Sequence, residues 1–129
     1  MSTIFSKIIA GEIPCYKVAE NDSFLAFLDI QPLRKGHVLV IPKLEIDYIF
    51  DMEDDLLGEM MIFSKAVAHK IKAVFPCRKV GVTVIGLEVP HAHIHLIPIN
   101  GIADMNFSQE KMVLTASELE EIAGSLLKA

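Results

Sequence analysis

The sequence predicts an α+β domain: an antiparallel sheet of about five strands with a long central helix and a C-terminal helix. Three observations lead there. Short runs rich in β-branched and aromatic residues are separated by turn residues, one long segment repeats apolar residues at helical spacing, and a capping box precedes a final helix. The predicted order is β-β-β-α-β-β-α, which suits an antiparallel sheet with helices packed on it.

Ser2 or Thr3 caps a short helix over residues 4–10, closed by Gly11. Residues 16–20 and 24–30 read as two strands around a turn at Asn21-Asp22-Ser23. A third strand covers 37–41 and stops at Pro42. Asp51-Met-Glu-Asp54 places acidic groups at the positive end of a helix dipole, so the central helix is expected over 52–75. Leu56, Met60, Phe63, Val67, Ile71 and Val74 form its apolar stripe, and Pro76 ends it. Residues 80–85 and 91–97 read as the fourth and fifth strands. Thr115-Ala-Ser-Glu118 is a capping box for a helix over 115–127.

The chain has 129 residues and a formal charge of −5. Its apolar fraction is high: counted with Gly and without Tyr it is roughly 56%, against about 45–50% in ordinary domains. The surplus must enter a core, a pocket or a subunit interface. The length fits a single domain over 1–129, which buries about two-thirds of the surface its unfolded chain exposes. With 22% charged residues the chain is too apolar for disorder. The longest apolar stretch without Asp, Glu, Lys or Arg, 89–103, carries three His, two Pro and a Gly and does not suit a membrane span. The N-terminus lacks the basic and apolar regions of a signal peptide. A net acidic chain is a poor partner for nucleic-acid polymers. Cys15 and Cys77 have no metal-like spacing and read as reduced thiols of a cytoplasmic protein.

The most informative segment is Pro90-His-Ala-His-Ile-His-Leu-Ile-Pro98. In a strand, His91, His93 and His95 point to one face, while Ala92, Ile94 and Leu96 point to the other and can pack on a helix. Three core histidines in a row would each need buried polar partners. Two chemical readings follow from the residues. One is a His₃ metal centre, with Glu88 the nearest acidic residue and no distant Asp-x-His or Cys pair to complete it. The other is covalent catalysis. A neutral imidazole attacks phosphorus, and protonated neighbours donate to phosphoryl oxygens and to the leaving group. His69, off the apolar stripe, reads as a surface residue.

His91-Ala-His93-Ile-His95-Leu-Ile resembles the signature of the histidine triad (HIT) family, His-φ-His-φ-His-φ-φ with φ apolar. Ile4-Phe-Ser-Lys-Ile-Ile-Ala-Gly-Glu-Ile-Pro14, Phe24-Leu-Ala-Phe-Leu-Asp-Ile30 and Gly36-His-Val-Leu-Val-Ile-Pro-Lys43 are similar, in order and spacing, to its Hint-like branch. The resemblance implies a HIT fold, a homodimer sharing a continuous sheet, and no obligatory metal or other cofactor. It implies hydrolysis or nucleotidyl transfer at the α-phosphate of purine nucleoside phosphoramidates or related adenylates. His93 would be the nucleophile that forms a nucleotidyl-histidine, assisted by His91, His95 and His37. Segment 3–43 would build the nucleotide pocket: Ile4, Phe5, Ile8, Ile13, Phe27, Ile30 and Leu39 around the base, and Asp29 on the ribose. Read without the family, these apolar residues are ordinary core positions, and Asp29 is a turn residue before Gln31-Pro32.

The chain also departs from the family. Segment 84–90, before the triad, is short and lacks Gln. Glu88 stands where many Hint proteins place a Ser that reaches the phosphate or leaving group. A carboxylate there repels an anionic phosphate unless it turns away, meets an ammonium-like leaving group or pairs with a histidine. Glu45 replaces a family His, Ile99-Asn100 replaces a basic residue, and the C-terminal tail diverges. These departures keep open a second expectation, a nucleotide-binding interaction protein with little turnover.

Overall fold

The computed structural model describes residues 3–129, so the expectation for Ser2 lies outside the described residues. Helix α1 spans Ile4–Ile9 and is capped by Thr3, whose Oγ1 accepts from Ser6 N–H at 3.0 Å. Strands β1 (Lys17–Glu20), β2 (Phe24–Leu28) and β3 (Val38–Pro42) follow. A 3₁₀ turn over Ile49–Asp51 leads into α2 (Asp54–Val74), with Asp54 and Asp55 at its positive end. Strands β4 (Lys79–Thr83) and β5 (Ile94–Ile99) come next, then a 3₁₀ turn over Ile102–Met105, and α3 (Ala116–Lys128) closes the chain. The Thr115–Glu118 capping box forms as expected, with Thr115 Oγ1 accepting from Glu118 N–H at 3.1 Å and Glu118 Oε1 from Thr115 N–H at 3.2 Å.

The five strands form one antiparallel sheet in the order β1-β2-β3-β5-β4. Strands β2 and β3 are buried at every position, because both faces of the sheet are covered. On one face Phe24, Ala26, Leu28, Val38, Val40, Ile94 and Leu96 pack against Met60, Val67 and Ile71 of α2 and Leu119, Ile122 and Leu126 of α3. Each buried large side chain contributes about 1.5–3 kcal/mol of transfer free energy. On the other face Leu25, Phe27, Leu39 and Ile41 pack with Phe5 of α1, and Ile8 and Ile9 lie beside them. The double cover explains why these strands read as continuous apolar runs rather than strict alternation.

Three strands need correction at an end: the second, expected over 24–30, ends at Leu28, and the fourth, expected over 80–85, ends at Thr83. The fifth strand, expected over 91–97, starts at Ile94, so His91 and His93 precede the ladder. Their backbone groups are satisfied elsewhere: His91 N–H donates to Val89 C=O at 2.8 Å and Ala92 N–H to Ile46 C=O at 2.6 Å. Gly36, just before β3, has φ +93°. A Cβ there would sit 2.7 Å from Phe75 Cδ2, so the turn that delivers His37 needs glycine for both conformation and space.

Candidate active site

The first triad histidine acts as an anchor. His91 is buried, and its Nε2 lies 2.9 Å from the Pro42 carbonyl, which can only accept, so Nε2 carries the proton. Its Nδ1 then accepts from the Thr3 hydroxyl at 3.0 Å. Burial, the main cause, holds the His91 pKa below the usual histidine value, consistent with this neutral form. Thr3 N–H and the Ser6 hydroxyl both reach Glu45 Oε1, tying the start of α1 to the residues after β3. The ring of Phe5 meets His91 and His93 edge-on, with centroids 5.7 and 5.0 Å apart.

The second histidine is oriented by the first. His93 Nδ1 lies 2.8 Å from the His91 carbonyl, so Nδ1 is the protonated nitrogen and Nε2 carries the lone pair. A relay sets the third. Leu33 N–H donates to His37 Nδ1 at 3.1 Å, so the neutral His37 bears its proton on Nε2. That Nε2–H donates to His95 Nδ1 at 3.0 Å, which leaves His95 with an Nε2–H to offer a ligand. His37 is pushed down to about 3 and His95 to about 4, in both cases chiefly by burial. Their neutrality corrects the expectation of protonated flanking imidazoles: His37 and His95 supply oriented dipoles at neutral pH, not charge.

His37, His93 and His95 line a cavity of about 330 Å³ together with Asp29, Gln31, Glu88, Phe107, Lys111 and residues 85–87. Asp29 caps the following turn, its Oδ1 accepting from Gln31 N–H at 2.9 Å, while Oδ2 lies 3.6 Å from His37 Nε2. Burial raises the Asp29 pKa, opposed by the Gln31 N–H and by nearby positive charge. Asp29 thus serves the turn and also faces the cavity. Glu88 is exposed at the cavity wall and pairs with no histidine among the described residues. Of the expected base-pocket residues, Phe5, Phe27 and Leu39 are buried together with Ile8 beside them. Ile13 is half-buried, and Ile4 and Ile30 are exposed.

Residues 10–101 match the HIT domain. The chain belongs to the HIT family. Its relatives include an uncharacterised HIT-like protein of Methanocaldococcus jannaschii, 38% identical over 94% of this chain and 98% of the relative. The adenosine 5'-monophosphoramidase of Saccharomyces cerevisiae is 40% identical over 74% of this chain and 61% of that protein. Among solved structures, a HIT-like protein from Bartonella henselae superposes with a TM-score of 0.85 at 29% identity, covering 98% of this chain and 95% of that one. The five-stranded antiparallel sheet with its helices is therefore the HIT architecture.

Within this HIT fold the three triad histidines do not converge as metal ligands, since both ring nitrogens of His91 are occupied by Thr3 and Pro42. The described residues offer a different trio, Asp29, His37 and His95, with donor atoms within 4.8 Å of one another. An ion there would have to displace the His37–His95 hydrogen bond. Sequence reasoning missed Gln31, Phe107 and Lys111 as wall residues. Phe107 packs on His95 at 4.9 Å and His37 at 6.2 Å, yet it lies in a tail with neither motif nor periodicity.

Proposed function

We propose that this HIT protein hydrolyses purine nucleoside phosphoramidates or related adenylates at the α-phosphate, or transfers the nucleotidyl group, through a nucleotidyl-histidine on His93. The observation that carries this reading is the His91 carbonyl at 2.8 Å from His93 Nδ1, which points the lone pair to Nε2 and supports the imidazolium formed on attack. As the Nε2–phosphorus bond forms, the phosphorus–nitrogen bond of the substrate breaks. The amine leaves with a proton taken up from solvent. Water then attacks the nucleotidyl-histidine, giving the nucleoside monophosphate, free His93 and a proton. His95 Nε2–H donates to a phosphoryl oxygen throughout. The phosphoramidase relative agrees with this substrate class.

His93→Ala is expected to lower AMP release from an adenosine phosphoramidate by ~10³-fold or more while adenosine still binds. Equal AMP release by wild type and variant refutes the covalent route. Adenosine or AMP binding with negligible wild-type turnover would favour an interaction protein instead.

The assembly proposed with this reading is a homodimer. An apolar groove of about 830 Å³ includes Tyr48, Phe50, Leu57, Met61, Val84 and Leu87 in its wall, with Phe50 71% and Leu87 88% exposed. It adjoins β4, one of the two edge strands of the sheet, and a second copy placed there would continue the sheet. A solution mass equal to one 14.3 kDa chain refutes it. The two free thiols, Cys15 and Cys77, support a cytoplasmic setting.

A further inference from the structure

The cavity has few groups that could meet the charge of an anionic ligand. A nucleotide phosphate is anionic, two of the wall residues, Asp29 and Glu88, are carboxylates, and His37 and His95 are neutral. The wall contains a single Lys or Arg side chain, that of Lys111. We propose that Lys111 is the cationic contact for the nucleotide phosphate, and therefore the residue that makes the site prefer a phosphorylated ligand to the bare nucleoside. This proposal rests on the reading of the cavity as a nucleotide site.

The segment after β5 is built to hold Lys111 there. Arg34 Nε donates to Asp104 Oδ1 at 3.0 Å, with Arg34 Nη2 on the same oxygen, fastening the segment to the loop between Asp29 and His37. Asp104 Oδ2 accepts from Asn100 N–H at 2.7 Å, and Met112 N–H donates to Pro32 C=O at 2.8 Å. Between these fastenings Phe107 lies against His95 and His37, and the Lys111 ammonium sits 5.7 Å from the Phe107 ring centroid. The ammonium donates to the carbonyls of Phe107 and Gln109, so two of its three donors are committed and the third is free for a ligand. No carboxylate pairs with it among the described residues. The charge is oriented by neutral carbonyls and has no ion-pair partner among the described residues.

The test is calorimetric titration of wild type, Lys111→Met and Lys111→Arg with AMP and with adenosine. Methionine keeps an apolar stem for the Phe107 ring and removes the charge. Wild type is expected to prefer AMP to adenosine. Lys111→Met should lose about tenfold in AMP affinity with adenosine affinity unchanged, and Lys111→Arg should retain most of the preference. Unchanged AMP binding by Lys111→Met overturns the proposal and leaves the nucleotide reading intact. Equal loss for both ligands assigns Lys111 a merely structural role and also overturns it. Wild type binding neither ligand sinks the nucleotide reading together with the proposal.

Discussion

The triad cavity and the apolar groove are built from alternate residues of one segment. His93 and His95 face the cavity, whereas Ala92 and Ile94 line the groove. Residues 85–87 contribute to both walls. The two differ in how finished they are. In the cavity, His37, His93 and His95 have hydrogen bonds that fix their tautomers, and Phe5 and Phe107 hold the rings. The groove presents exposed Tyr48, Phe50, Met61 and Leu87, which none of the described residues covers. A site for chemistry arrives preorganised, because reorganisation during the reaction raises the barrier. A surface for association is completed by its partner.

The largest effect that would sharpen the comparison is on the relay. His37→Asn removes the Nε2–H that sets the His95 tautomer, and is expected to reduce kcat about a hundredfold with little change in KM. A variant as active as wild type would show that the relay does not matter to turnover.

The second test is pH. His37 and His95 titrate at about 3 and about 4 when folded, below the ordinary histidine value, so the unfolded chain binds more protons between those values and about 6.5. The stability they contribute is present above pH ~6.5 and is lost as pH falls towards their folded values. Urea midpoints should therefore fall between pH 7 and pH 4.5, with a shallower slope in His95→Asn. A flat profile in wild type would mean that the cavity histidines are not held neutral by burial.

The smallest expected effect concerns the groove. Phe50→Glu should yield a 14.3 kDa monomer by light scattering, because it places a charge in the proposed dimer contact. It should also lower kcat/KM several-fold through residues 85–87, while single-turnover chemistry at His93 persists. A monomeric variant with unaltered kcat/KM would separate the two surfaces. A dimer that survives would place the interface elsewhere.

Much of this was legible in the chain. The stripe from Leu56 to Val74 announced α2, and the Thr115–Glu118 box announced the start of α3, because both are local patterns whose physics acts within a few residues. Alternation placed Ile94 and Leu96 in the core opposite His95. The start of β5 was not legible. Alternation looks the same whether backbone groups pair in a ladder or, as at His91 and Ala92, with Val89 and Ile46.

By itself the sequence determined the α+β class and the family, since these follow from residue type and short-range spacing. Tertiary structure decided which nitrogen of each histidine carries a proton, through Leu33, Pro42 and the His91 carbonyl. It also decided the neutrality of His37 and His95, and it brought Phe107 and Lys111 of the tail to the cavity wall. Protonation depends on burial and on single hydrogen bonds between residues up to 88 positions apart, and no local pattern in the chain encodes them.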